Sequence, residues 1–388
     1  VKSTSKLQQP QADRMKKDRR FVYVGTYSAE SIDSPSHGEG IYVFELDPET
    51  GALLDPKLAV ESANPSWLAL HPSGKFLYTV NSVSNFEGES GAVSAFAIDR
   101  SSGGLQVLNE VSSQGRGPAH MSLDHAGKYA FIANYSAGSI TVLPIREDGS
   151  LGAPTDTRQD TASVGSQTAT NAPRGSFARS GHDAPHAHCI IPSPDNRFVL
   201  QTDLGQDRIY VYKFDSRRGK LTPAHVPFIS VPTGDGPRHL AFHPNHPWLY
   251  SIQEEASTIQ YFHYDPETGS LQEEQRISTL PDGFAGTNFT SEIVISKDGR
   301  FLYGANRLHD TVVAFSIASD GRLKHIGEVP TLGDYPRHLA IEPDGNFLYS
   351  ANQRADSITC YRINRETGMP AFTGQYIALG TPACIVFL

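Results

Sequence analysis

The chain has 388 residues, a formal charge of −9, 38% hydrophobic residues, 34 glycines and 26 prolines. An acidic chain with no basic domain argues against nucleic-acid binding, and no apolar run reaches the roughly eighteen residues of a membrane span. Three scattered cysteines, Cys189, Cys360 and Cys384, form neither a CxxC nor a disulfide framework, so a reducing compartment is expected.

Residues 1–19 are polar and lack the apolar core of a signal peptide. They are read as a disordered or upstream segment, with Met15 a sensible translation start and the cytoplasm the expected location. From residue 20 an aromatic strand recurs seven times, roughly every fifty residues. The copies begin at Phe21, Phe76, Tyr129, Phe198, Trp248, Phe301 and Phe347, several reading Phe-Leu-Tyr. Six follow turns such as His71-Pro72-Ser73-Gly74 or Glu342-Pro343-Asp344-Gly345, whose Pro, Asp and Gly suit tight hairpins. An alternating strand follows each copy, as in Arg208-Ile209-Tyr210-Val211-Tyr212. Then come a glycine and a short fourth strand, opening at Leu53, Leu105, Leu151, Leu221, Leu271 and Leu323.

Four antiparallel strands repeated seven times predict an all-β, seven-bladed β-propeller over residues 20–388. The first copy lacks an inner strand and the C-terminal Gly380–Leu388 stretch consists of one. Pairing of the two termini is therefore expected to close the ring, and removing residues 380–388 to destabilise it severely. Residues 152–184, rich in Thr, Ser, Gly and Ala, are read as a loop inserted between blades. A ring without free sheet edges is expected to be a monomer.

The first strand of each blade starts where the second ends, so both positions gather at one end of the ring. The strand-start row reads Ser66, Ala119-His120, His188, Arg238-His239, Glu292, Arg337-His338 and Pro382-Ala383. The strand-end row reads Asn81, Asn134, Asp203, Glu254, Arg307 and Gln353. Asn81, Asn134 and Asn352 are read as caps for neighbouring backbone. Glu254 and Arg307 are poor turn residues and break that pattern. For Arg238 and Arg337, an inter-blade ion pair and a ligand contact stand equal. His239 and His338 are expected to face the other way and to pack between blades.

His186-Ala187-His188 resembles a metal pair, but no carboxylate cluster accompanies it and no metal is expected. No P-loop, GxSxG or dinucleotide fingerprint is present, so no cofactor is expected either. The sequons at Asn134 and Asn288 are read as chance matches.

On these residues the chain resembles the seven-bladed propeller lactonases, a family that spans bacterial propeller-type 6-phosphogluconolactonases and fungal carboxy-cis,cis-muconate cyclases. The resemblance runs from about residue 20 to the end. It rests on Tyr23-Val24-Gly25-Thr26-Tyr27, on the Gly236-Pro237-Arg238-His239 stretch through Pro244, on Glu254, on Asp298 through Arg307, and on Gly380-Thr381-Pro382. It implies that His188, Arg238, Glu254 and Arg307 are catalytic, with Arg337, Asp203, Gln353 and His120 expected to bind the substrate. The implied activity is hydrolysis of a sugar lactone, 6-phosphoglucono-1,5-lactone in the first instance. A muconate-type lactonising cyclase and a non-catalytic binding scaffold are the alternatives. Either His188 or Glu254 can serve as base. The 152–184 insert and the long 30–38 segment depart from compact members of the family and bear on substrate size.

Overall fold

The computed structural model describes residues 19–29, 36–170, 172, 177 and 180–388. The expectations for residues 1–18 and for most of the 30–38 segment lie outside the described residues. Twenty-eight strands form seven antiparallel four-stranded sheets, one per blade. The fifth blade is typical, running outward as Pro237–Phe242, Trp248–Gln253, Thr258–Tyr264 and Leu271–Ser278. Each inner strand packs against the inner strands of its two neighbours, so the seven enclose a central channel.

The termini close the ring as the repeat phase requires. Strand Phe21–Thr26 pairs with Pro382–Phe387 through Val24↔Ile385 and Gly25↔Cys384, making the C-terminal strand the inner strand of the first blade. Apolar residues on facing sheets fill the gaps between blades. Tyr250, Ile252 and Ile259 of the fifth blade, for example, meet Leu302, Val313 and Phe315 of the sixth. Each fully buried side chain of this size contributes roughly 1.5–3 kcal/mol by leaving water.

The recurring tyrosine has a specific task. Tyr349 Oη donates to the Gly51 carbonyl at 2.7 Å, tying the seventh blade to the first. Tyr23, Tyr78, Tyr250 and Tyr303 make the same bond to Gly103, Gly149, Gly321 and Gly368 of the next blade. The receiving turn must come very close. Gly51 sits at φ 73°, and a Cβ there would lie 2.5 Å from the Phe347 ring, so only glycine fits.

The third blade corrects one expectation. Its outer strand is Asp156–Gln159, not a run opening at Leu151, so the insert begins after residue 159. The ladder stops at Val142↔Asp156, beyond which the register shifts and the Gly152 N–H donates to the Pro144 carbonyl. Leu151 makes only an isolated bridge to Ile145, with its side chain in the core. The sequon residues Asn134 and Asn288 are fully buried, which leaves no room for a glycan on either in the folded chain. No helix among the described residues is long and apolar enough to cross a membrane.

Candidate active site

A β-bulge near the start of each inner strand builds the site. In the fifth blade Pro237 pairs with Gln253 and His239 with Ile252, leaving Arg238 unpaired between them. The same shift isolates Ser66, Ala119, His188 and Arg337 in their blades. A regular strand would turn successive side chains to opposite faces; the bulge turns two in a row toward the channel. The bulged residue faces one mouth and its successor lies deeper. The channel therefore carries two layers of chemistry built from neighbouring positions.

The bulged layer lines a cavity of about 610 Å³ with His188, Arg238, Glu254, Arg307, Arg337 and Gln353 in its wall. All four residues expected to be catalytic thus converge in one space. Glu254 holds the two central cations: its Oε2 lies 2.7 Å from Arg238 Nε and 2.8 Å from Arg307 Nη2. Arg307 also donates to the Thr290 carbonyl and to Tyr335 Oη, and lies 4.0 Å over the Phe289 ring. Arg238 donates to the Ser291 carbonyl. Both guanidiniums are almost fully buried, at 2% and 3% exposure, so their positions are fixed before any ligand arrives. Burial and the neighbouring Arg307 draw Arg238 down to about 10, which leaves it cationic at neutral pH.

His188 is the neutral member of this group. Burial, and then Arg238, push its imidazole well below the ordinary value, so it carries a free lone pair at pH 7. Its Nδ1 has no hydrogen-bond partner among the described residues. Buried polar atoms are rarely left unmatched, and this one belongs to a ring in the cavity wall.

Two of the expected substrate contacts are not in this cavity. Asp203 is fully buried and accepts from the backbone N–H groups of His186 and Gln206 at 3.0 and 2.8 Å. It ends a strand where its carboxylate caps the following turn, the ordinary use of aspartate there. His120 is the successor of the bulged Ala119, so the register places it in the deeper layer. Glu292, read as a strand-start residue on the ligand side, lies in that layer too. Asn81, Asn134 and Asn352 cap backbone, but not in their own turns: each reaches a carbonyl of the connection entering its blade, at Ala63, Ser113 and Thr331.

The deeper layer borders a separate cavity of about 540 Å³. Trp67 stands at its centre, with ring centroids 4.3 Å from His120 and 5.1 Å from both His239 and His338. Cys189 Sγ lies 3.7 Å from His120 Nε2, and Cys384 Sγ lies 3.7 Å from His338 Nε2. Burial holds both thiols protonated. No group of three or more His, Cys, Asp or Glu among the described residues is arranged to hold a metal ion.

The sequence reading missed Tyr335, which lines the cavity at φ 64°, a strained conformation for an aromatic residue. The signal was available: Gly117 and Gly236 precede the proline in sister blades, and Tyr335 stands in their place. It missed the clamp behind Glu254 as well. His182, from the end of the insert, lies 2.9 Å from Asp207 and 3.1 Å from Glu255. No described residue of the insert lines the cavity. Phe177 bridges to Asn288, one residue before the Phe289 that supports Arg307.

Comparison with known proteins agrees with this architecture. Residues 21–387 match the family model for lactonase, 7-bladed beta-propeller. The chain is 34% identical to the 6-phosphogluconolactonase of Bacillus subtilis, over 94% of its own length and 97% of the relative's. It is 32% identical to a 6-phosphogluconolactonase of Formosa agariphila over 82% and 85% of the two chains. The solved periplasmic gluconolactonase of Pseudomonas aeruginosa superposes with a TM-score of 0.84 at 29% identity, covering 96% of this chain and 99% of that one. The protein belongs to the seven-bladed β-propeller lactonase family.

Proposed function

We propose that the chain hydrolyses a sugar lactone, with 6-phosphoglucono-1,5-lactone the leading substrate. The observation that carries this reading is a concentration of positive charge on an acidic protein. Arg238, Arg307 and Arg337 line the cavity with Glu254 beside a neutral imidazole, while the whole chain is at −9. Such a site attracts an anionic ester and stabilises a developing oxyanion. Two relatives, matched over 97% and 85% of their own lengths, carry the name 6-phosphogluconolactonase.

In this mechanism water attacks the lactone carbonyl carbon and His188 takes its proton. The carbonyl oxygen becomes an oxyanion held by Arg238 and Arg307, whose spacing Glu254 fixes through its shared oxygen. The ring C–O bond then breaks, the leaving oxygen recovers the proton from His188, and the new carboxylic acid releases its remaining proton to water as the carboxylate. Glu254 is committed to the two arginines, which favours His188 as the base. Arg337, beside the Tyr27 ring at 5.1 Å, is the group assigned to the substrate's phosphate, with Gln353 nearby in the wall. Action as a monomer in the cytoplasm belongs to the same reading, supported by a closed ring and three buried free thiols.

The test is base uptake at constant pH with freshly made lactones, phosphorylated and not, and with a carboxymuconate alongside. The reading requires the phosphorylated 1,5-lactone to be the best substrate. Turnover of the muconate alone would replace it with the lactonising cyclase. No rate above spontaneous hydrolysis on any of them would leave a binding scaffold.

A further inference from the structure

The mouth-side cavity is not uniform around its rim. Its charge comes from the fifth, sixth and seventh blades, which supply Arg238, Glu254, Arg307 and Arg337. Among the described residues, the first three blades contribute only uncharged side chains to the wall. The inner strands follow one another in chain order around the ring, so the second blade stands across the channel from the junction of the fifth and sixth. A molecule filling the cavity therefore meets cations on one side and neutral polar groups on the other.

The neutral side is built by a local extension. The second strand of the second blade, Phe76–Phe86, has eleven residues, where those of the other blades have six or seven. Its ladder with Ser90–Ile98 shifts after Asn81↔Ala92 and resumes at Phe86↔Ser90, so a short hairpin continues past the mouth-side row. Ser82, Val83, Ser84 and Asn85 of this hairpin line the cavity. Its base is pinned: the Ser82 N–H donates to the Asn64 carbonyl at 2.9 Å, and the Gly117 N–H donates to the Val83 carbonyl at 3.1 Å. Beside it Ser136 packs so close to Gly117 that a Cβ there would lie 2.3 Å from Ser136 Oγ. Ser84, Asn85 and Ser136 are exposed within the wall, so their polar groups are open to a ligand.

A serine hydroxyl and an asparagine amide each donate and accept, as sugar hydroxyls do. The arginines instead match a phosphate, a carboxylate or an oxyanion. We propose that Ser84, Asn85 and Ser136 are specificity-determining residues that hydrogen-bond the ring hydroxyls of a polyhydroxy-acid lactone, opposite the arginines that take its anionic groups. Ser and Asn on an exposed hairpin are ordinary loop residues by composition. Their place in the cavity wall, on a pinned base and across from the cations, is what gives them the task. The consequence for turnover rests on the proposed lactonase activity; recognition of the hydroxyls does not.

The test compares 6-phosphoglucono-1,5-lactone with its trideoxy analogue, which keeps the phosphate and the lactone ring but lacks the three ring hydroxyls. The readout is the ratio of their kcat/KM values, which a general distortion of the site would leave unchanged by slowing both. Because the wall is exposed, water replaces a lost contact cheaply, and each group is worth a factor of about three to ten. Asn85→Ala should lower the ratio by that factor, and the triple Ser84→Ala, Asn85→Ala, Ser136→Ala variant by at least about thirtyfold. An unchanged ratio in the triple variant of an active enzyme would overturn the proposal and leave the lactonase reading intact. Calorimetric binding of the two corresponding open-chain acids gives a readout that needs no turnover. Should the wild type hydrolyse neither lactone, a preference for the hydroxylated acid that the triple variant loses would refute the proposed function and leave the neutral wall standing. Equal binding of the two acids by that inactive protein would overturn the proposal as well.

Discussion

The two layers of the channel are built from adjacent residues on the same strands, yet they have opposite character. The mouth-side layer holds Arg238, Arg307 and Arg337 around Glu254. The deeper layer holds three neutral histidines, one carboxylate and two protonated thiols packed about Trp67. The difference lies in what each can do at neutral pH. The first presents fixed charge to its cavity; the second presents mostly neutral rings and thiols to another. One bulge per blade suffices to separate them, which shows how a repeat fold sends neighbouring letters of one motif to different layers.

Arg307→Ala should break the mouth-side layer most severely. In the proposed mechanism it removes one of two oxyanion cations, so kcat/KM for the phosphorylated lactone should fall about 100- to 1,000-fold. Retention of wild-type turnover would mean that the cation concentration serves something other than the reaction.

The second effect sharpens the comparison through pH. In the proposed mechanism His188 is the base and works only when neutral. Since burial and Arg238 depress it well below its ordinary value, kcat/KM should stay flat from pH 8 to pH 6 and fall only in more acid solution. A half-maximal rate near the ordinary imidazole value of about 6.5 would contradict a base depressed by burial and Arg238.

The third concerns the support behind the mouth-side layer, where His182 clamps Glu255, the neighbour of Glu254. Burial opposes its charge, but hydrogen bonds to Asp207 and Glu255 outweigh that and hold His182 at about 9. A folded-state value raised above the unfolded one adds stability that is full below about pH 6.5 and is lost as pH rises through about 9. Thermal melts should therefore show stability declining between those limits, by at most about 1.4 kcal/mol per pH unit. A His182→Asn protein should be less stable at pH 6 and lack this decline. An identical slope in both proteins would remove His182 from the account.

The smallest effect belongs to the frame that both layers share. Tyr349→Phe deletes the bond to Gly51 that ties the seventh blade to the first, and should cost about 1 kcal/mol without changing kcat. A larger loss in turnover than in Tm would show that the ring transmits blade geometry to the site.

The propeller and its closure were legible because each blade repeats the same chemistry. Phe347-Leu348-Tyr349 carries its burial pattern and its inter-blade tie in three letters, and the terminal phase mismatch is visible in the sequence. His188, Arg238, Glu254 and Arg307 were legible as a group because strand starts and strand ends must share one mouth. Their individual roles were not, because they depend on Glu254 bridging two arginines. His120 and Glu292 were assigned to the wrong layer because a bulge moves side chains without changing the motif. Asp203 was misread since a capping and a ligand-facing aspartate look alike in sequence. The start of the insert was misplaced because the register shift between Val142↔Asp156 and Ile145↔Leu151 leaves no mark in the residue pattern. His182 was invisible for a similar reason: it comes from an aperiodic stretch, and its two carboxylates lie far along the chain.

The most direct test of the central claim is turnover of fresh 6-phosphoglucono-1,5-lactone by wild type and Glu254→Gln at fixed pH, with Tm measured on both. The account predicts clear wild-type catalysis and a loss of at least about 100-fold in the variant, because the two arginines lose the charge that spaces them. A folded Glu254→Gln protein that hydrolyses the lactone at the wild-type rate would contradict it.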